Sequence, residues 1–290
     1  MYDVLENVPE RKIHCLNHGF VQLVDVMPRL VDDGHKTADY AIAQAARTSY
    51  GDGTKSVNED RGLIRYLLRH AHTTPFEMIE FKFLCKMPII VARQWIRHRT
   101  ANVNEYSGRY SIMKDEFYIP ELSDVKTQSN VNKQGGGESL DSTVADGFLK
   151  TLEETCRKSY EYYIDCVENK KMAREQARMI LPQNLYTQWY WKIDLHNLFH
   201  FLALRCDKHA QMEIRVFADA ILSLITPIVP VAVEAWNDYH PMRGAMKLTR
   251  LEVEGLKAIL SNSQIGEIAP ISTNKRENDE WFEKMRVLTS

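Results

Sequence analysis

The sequence predicts an α+β fold, helix-rich, with one small antiparallel or mixed sheet. Three observations lead there. Only three short segments alternate or concentrate β-branched and aromatic residues. Most of the remaining chain spaces its apolar residues for helices. No internal repeat organises the 290 residues, and a composition of 44% apolar and 26% charged residues suits a chain that buries a core.

In order along the chain, residues 20–26 (FVQLVDV) alternate and read as a strand. Residues 38–47 are Ala-rich and helical. Leu63, Ile64, Leu67 and Leu68 mark a second amphipathic helix, with Asn58 as its cap. Thr74-Pro75-Phe76-Glu77 fits a capping box with proline at the first helical position, so a helical turn is expected there. Residues 80–87 (EFKFLCKM) alternate again, and Pro88 opens a helix predicted to run through Arg99.

Residues 123–143, including Gln134-Gly135-Gly136-Gly137, are polar and predict a flexible surface insertion, since helical patterning resumes at once. Residues 148–167 form a long helix with exposed charges, and 173–181 another, stopped by Pro182. Residues 186–193 (YTQWYWKI) are aromatic and strand-like. Asp194 caps a helix to Arg205, and further helices follow from His209. The whole of 1–290 is predicted to be one domain. Its motif-bearing part is about 18–240, and 241–290 is a helical extension.

A formal net charge of −2 advertises no global basic field. The first residues, MYDVLENVPERK, lack the apolar core of a signal peptide. The most apolar stretch, 220–233, is too short to span a bilayer and is broken by Pro227 and Pro230. Five scattered cysteines without a CxxC pair argue for a reducing compartment and against a disulfide framework. A cytoplasmic protein without a membrane or nucleic-acid partner is expected.

The most informative segment is ARQWIRHRTANVNEYSGRY, residues 92–110. It holds four arginines against one glutamate. On a continuous helix, Arg93 and Arg97 would share one face, a cost of roughly 0.2–0.5 kcal/mol unless an anion lies between them. Arginine forks match phosphate oxygens, and Ser107-Gly108-Arg109 adds a hydroxyl, a closely approachable backbone and another fork. The pattern reads as a phosphate cradle or a solvated basic helix end. A Walker loop is absent.

Arg97-His98-Arg99, seven residues and then Ser107 make the RHRx7S signature, and the surrounding run resembles the flavin-dependent thymidylate synthases over its full length. His70-Ala71-His72-Thr73-Thr74-Pro75-Phe76-Glu77 is similar to a second segment of that family, and Ala177-Arg178-Met179-Ile180-Leu181-Pro182 to a third. A fourth is the helix ending Leu204-Arg205, followed by His209-Ala210-Gln211. In the third, Pro182 is expected to leave the Arg178 carbonyl without its usual helical partner. Some family members carry Asn and Arg where this chain has Asp194, His196 and His200.

The resemblance implies a thymidylate-synthase-complementing-protein-like fold and reductive methylation of dUMP to dTMP. FAD would be the bound cofactor, NADPH the reductant and methylenetetrahydrofolate the carbon donor. Homotetramers with sites shared between subunits are implied too. Arg205, Ser107 and His72 become the candidate catalytic residues. Gln94, Arg97, Glu105, Tyr106, Ser107, Gly108, Arg109, Arg178 and Arg205 become candidates for dUMP. Thr74, Arg97, His98, Arg99, Glu105, Asp194, His196 and His200 become candidates for FAD.

Carbon 5 of uracil must be activated, and no cysteine lies in a recognisable nucleophile context. A guanidinium facing the O2/N3 edge, with Arg205 the candidate, would favour an electron-rich ring. Ser107 lacks an evident base and reads as a substrate-positioning donor. Glu105 is expected to hold Arg97 or a ribose hydroxyl. Two rival readings use the same residues differently. A nucleic-acid module would combine Arg93, Arg97, Arg99 and Arg109 with Trp95, Tyr106 and Tyr110. A metal-dependent hydrolase would use His196, His200 and His209, but Asn197 stands where a zincin needs glutamate, and no metal is expected.

Overall fold

The computed structural model describes residues 1–32, 34–48, 57–129, 135–240, 248–261 and 269–289. In chain order it forms β1 (Tyr2–Asp3), β2 (Lys12–Cys15), β3 (Gly19–Met27), β4 (Leu30–Val31), α1 (Asp39–Arg47), α2 (Val57–Arg69) and α3 (Thr74–Glu77). Then come β5 (Glu80–Pro88), α4 (Ile89–Trp95), β6 (Asn102–Glu105), β7 (Lys126–Gln128), β8 (Gly136–Ser139), α5 (Ser142–Glu168) and α6 (Arg174–Ala177). The last elements are β9 (Tyr186–Asp194), α7 (Leu195–Arg205), α8 (Met212–Ile225), α9 (Pro230–Tyr239), α10 (Arg250–Ser261) and α11 (Lys275–Thr289).

The three expected strands are neighbours in a five-stranded sheet ordered β2-β3-β5-β9-β6, antiparallel at every pairing. β5 and β9 pair along their length, from Glu80 opposite Asp194 to Pro88 opposite Tyr186. Their alternation puts Phe81, Phe83, Trp189, Trp191 and Ile193 on one buried face. Helices α4, α7 and α8 cover it with Trp95, Leu198, Phe201, Ile214 and Phe217. Each such side chain contributes about 1.5–3 kcal/mol by leaving water. Trp95 anchors the seam, stacked on Phe201 at 4.9 Å and edge-on to Trp191 at 5.1 Å. Gly19 opens β3 where a Cβ would come within 2.9 Å of the Phe217 ring and 2.6 Å of the Cys15 carbonyl.

A smaller cluster joins Cys156, Tyr163 and Cys166 of α5 to Met113, Phe117, Ala177 and Leu185. The apolar stretch at 220–233 splits into the end of α8 and the start of α9, with Pro230 at the first turn. Among the described residues no helix is long and apolar enough to cross a membrane.

Several local expectations need correction. α4 stops at Trp95, so Arg97, His98 and Arg99 lie in the turn beyond it and not on a helical face with Arg93. Asn58 lies inside α2, one residue past its start. The capping box before Phe76 does not form, because Thr73 occupies the cap position without a side-chain hydrogen bond. Residues 102–105 are strand and not loop. All four are exposed and all but Val103 are polar, and only main-chain pairing with β9 makes them β6. The short β1, β2 and β4 also carried too weak a pattern to announce themselves.

The insertion contains an exposed two-stranded hairpin, β7–β8, and α5 starts at Ser142 because Asp141 caps it. Residues 130–134 of that insertion lie outside the described residues. The helix expected over 173–181 divides into α6 and a 3-10 turn, Arg178–Ile180. That turn gives the Arg178 carbonyl a partner, the Leu181 N–H at 3.2 Å, so it is not orphaned by Pro182.

Candidate active site

α7 and the turn after α4 meet at a half-buried imidazole. Asp194 starts α7 by accepting the Asn197 N–H at 2.9 Å, and the helix carries Phe201 and Arg205 on one face, four residues apart. The His98 ring packs edge-on to Phe201 at 5.0 Å, and its Nε2 accepts a hydrogen bond from Arg205 Nε at 3.0 Å. Burial, then the Arg205 charge and His200, hold His98 down at about 4, so it is neutral near pH 7. Burial also lowers Arg205, yet a guanidinium stays charged. Among the described residues its terminal nitrogens have no hydrogen-bond partner. A half-buried cation therefore projects two donor groups toward whatever enters.

The Ser107 loop is fixed by its backbone. Tyr106 N–H donates to the Gln188 carbonyl at 2.8 Å, and the Tyr106 hydroxyl donates to Ile112 O at 2.7 Å. Ser107 Oγ accepts the Arg109 N–H at 3.3 Å, leaving its own O–H to donate. Gly108 is buried, and a Cβ there would lie 2.9 Å from Met113 Sδ and 3.3 Å from Arg178 Cδ. The glycine thus makes room for Met113 first and then for Arg178, and the structure brings that expected residue to the loop. Arg109 pairs with Glu175 at 3.2 Å, and Arg174 donates to Tyr110 O at 3.3 Å. Arg174 and Glu175 were not singled out in the sequence, where they look like ordinary helical charges.

Glu105 does not hold Arg97. Its carboxylate accepts the hydroxyl of buried Thr187 at 2.6 Å, across the β6–β9 pairing. Arg93, Arg97, Arg99 and Arg178 form no ion pair among the described residues. Gln94 Oε1 is buried without a hydrogen-bond partner.

A third group stands at the other end of β9. There α3 packs against α7, and Leu195 N–H donates to Ile79 O at 2.8 Å. Thr74 opens α3, and His196 lies in the first turn of α7. His72 lies over the Tyr66 ring, 6.1 Å between centroids, and His196 meets His200 at 4.6 Å. Burial and then His196 lower His200, while Asp194 opposes them. Both Asp194 oxygens are engaged by Asn197. His209 pairs with Asp207 and does not join the two histidines, and no group of three His, Cys, Asp or Glu among the described residues could hold a metal.

No hydrogen bond or ion pair among the described residues joins the Ser107–Arg178 group to His98–Arg205. Gln188 and Asp194 are separated along β9 by about 20 Å, at roughly 3.3 Å per residue. A cavity of about 470 Å³ lies elsewhere, between Arg61, Arg65, Glu234 and Asn274, and no motif residue lines it. The motif residues range from exposed (Arg97, Arg99, Arg109) through half-buried (Gln94, His98, Ser107, Arg205) to buried (Gly108). Uncompensated guanidiniums and an orphaned buried Gln94 oxygen are chemically suited to an anionic ligand with donor groups.

The family described as "Thymidylate synthase complementing protein" matches residues 29–231. A "Flavin-dependent thymidylate synthase" of Dictyostelium discoideum is 54% identical over 287 residues, 99% of this chain and 90% of the relative. Another from Ruegeria pomeroyi is 51% identical over 276 residues, 94% and 86% of the two chains. The chain belongs to the flavin-dependent thymidylate synthase family. A crystal structure of a UMP/dUMP methylase, PolB from Streptomyces cacaoi, bound with 5-Br dUMP, superposes with a TM-score of 0.68 at 28% identity, covering 78% of this chain and 98% of that one. As a flavin-dependent thymidylate synthase the chain is a methyltransferase of mixed α+β fold. The His98–Arg205 bond and the Gly108–Arg178 contact are features of this family member that motif reading missed. Neither leaves a local signal.

Proposed function

We propose that this chain converts dUMP to dTMP at a site where Arg205 polarises the uracil ring, and that one observation carries the assignment. Arg205 spends its Nε–H on a neutral imidazole and keeps its terminal N–H groups unengaged among the described residues, half-buried and charged. Facing O2 and N3, that charge favours electron density on the ring and makes C5 nucleophilic, an effect of a few kcal/mol where the donors are preorganised. His98 serves by accepting. An imidazolium could not receive the Arg205 N–H, so the low proton affinity of His98 keeps the guanidinium plane in place.

Arg178, Arg109 and Arg97 would hold the phosphate and ribose of dUMP, with the Ser107 hydroxyl and the Gly108 and Tyr106 backbone fixing the nucleotide's approach. Gln94 would receive a donor from the ligand at its orphaned oxygen. Glu105 shapes the loop through Thr187. Thr74, His72, Asp194, His196 and His200, with Arg97, His98 and Arg99, form the proposed FAD side. When bound, FAD reduced by NADPH would supply the hydride and methylenetetrahydrofolate the one-carbon unit. A thiol route finds little support. Burial pushes the Cys15 thiol up to about 12 and raises Cys85 and Cys156 as well.

A homotetramer with shared sites belongs to the same reading. Its support is that Tyr110 and Met179, beside the Ser107 loop and Arg178, are 77% and 78% exposed. A cytoplasmic location is also proposed, supported by five free cysteines. The test is purified protein given dUMP, methylenetetrahydrofolate and NADPH. Flavin absorbance and flavin-dependent dTMP formation are expected. A colourless protein that takes up no added FAD and leaves dUMP unchanged would sink the reading.

A further inference from the structure

We propose that the C-terminal helix α11 positions the turn carrying His72, with Glu280 as the positioning residue acting through His70 and Tyr66; this rests on the reading that places His72 on the flavin side. The extension is not a loose tail. Arg65 and Arg69 stand one turn apart on α2, and Glu277 and Glu280 one turn apart on α11. Arg65 Nε donates to Glu277 Oε1 at 2.7 Å, and Arg69 grips Glu280 with two bonds of 2.7 Å. The Tyr239 hydroxyl sits between them, donating to Glu277 at 2.6 Å and accepting from Arg65 at 2.6 Å. Arg65 and Glu277 are 9% and 7% exposed, so opening the seam would strand buried charges.

The clamp ends on His70, whose Nε2 lies 3.0 Å from Glu280 Oε1. One residue, Ala71, separates His70 from His72. Tyr66 bridges them from one turn back, 4.4 Å from the His70 ring and 6.1 Å from the His72 ring, and Arg276 of α11 lies over Tyr66 at 6.0 Å.

Ala71 shows why a clamp is needed. α2 ends in a Schellman turn, His72 N–H to Leu67 O at 2.9 Å and Ala71 N–H to Leu68 O at 3.1 Å. Its left-handed position, normally glycine, is filled by Ala71 at φ +56°. A residue held there persists when its surroundings over-determine it. The Glu280–His70 contact and the Arg69 fork supply that constraint at the last residues before the turn.

The test is flavin affinity of the full-length chain, read by fluorescence titration beside thermal unfolding. Glu280→Gln should weaken FAD about 3- to 10-fold, and His70→Gln should act in the same direction. In the Glu280→Gln background, Ala71→Gly should restore affinity, since glycine adopts the turn without help. Flavin affinity unchanged in Glu280→Gln while His72→Ala weakens it would overturn the proposal and leave the His72 assignment standing. Loss of thermal stability alone, or no rescue by Ala71→Gly, would reduce α11 to a brace. Unchanged affinity in His72→Ala would remove the His72 reading and the proposal together.

Discussion

Arg205 and His98, 107 positions apart in sequence, share a 3.0 Å hydrogen bond in which the imidazole is the acceptor. The bond exists only while His98 is neutral, so the orientation of the proposed ring-polarising cation depends on a titratable partner.

That dependence gives a pH signature. His98 sits at about 4 against an ordinary 6.5, because of burial first and then Arg205 and His200. A folded value below the unfolded one means its stabilising contribution is present above pH 6.5 and is lost as pH falls through about 4. Allowing for its partial exposure, the loss should be about 1–2 kcal/mol. Denaturant midpoints at pH 7 and pH 4.5 should separate more for the native chain than for His98→Gln. Equal separations would remove His98 as the titrating group.

Arg205→Ala should keep its flavin absorbance while dTMP formation falls about 10²–10³-fold, the usual scale for one preorganised charge donor. Arg205→Lys should recover little, because an ammonium cannot donate to His98 and to the ring edge from one plane. Steady-state turnover near the native rate in either variant would count against the electrostatic role.

Arg178→Ala should weaken dUMP by about 10- to 100-fold in calorimetry, the loss of a charge-assisted contact. Gly108→Ala should weaken it less, since the new methyl meets Arg178 Cδ at 3.3 Å and displaces a flexible side chain. Native affinity in Arg178→Ala would exclude it from the phosphate site.

Asp39 of α1 caps α9 from a distance, accepting the N–H groups of Val231 at 2.9 Å and Ala232 at 3.0 Å. Asp39→Ala leaves both donors unmet in a buried place and should cost about 2 kcal/mol by chemical unfolding. Asp39→Asn, which keeps an acceptor oxygen, should cost less. Equal stabilities for the two variants would mean the capping bonds do not carry the effect.

Cys206 follows Arg205 directly and is half-buried at the end of α7. Cys206→Ser should remain active. A folded, flavin-loaded but inactive Cys206→Ser would bring back a thiol nucleophile.

The sequence by itself determined the family and most of the elements. Motifs such as Arg97-His98-Arg99 with Ser107 are local, and apolar periodicity in residues 80–87, 186–193 and 195–205 is written along the chain. It also supplied Asp194 as a cap, since a cap acts on its own backbone neighbourhood. Tertiary structure alone decided who meets whom. The exposed run 102–105 becomes strand because β9 offers it an edge. Glu105 turns to Thr187 rather than Arg97, and α4 ends early enough to drop His98 onto Arg205. The α2 terminus is gripped by Glu280 from 210 residues away. Such pairings depend on how whole elements pack, and a side chain's partner across a packed interface leaves no trace in its flanking residues.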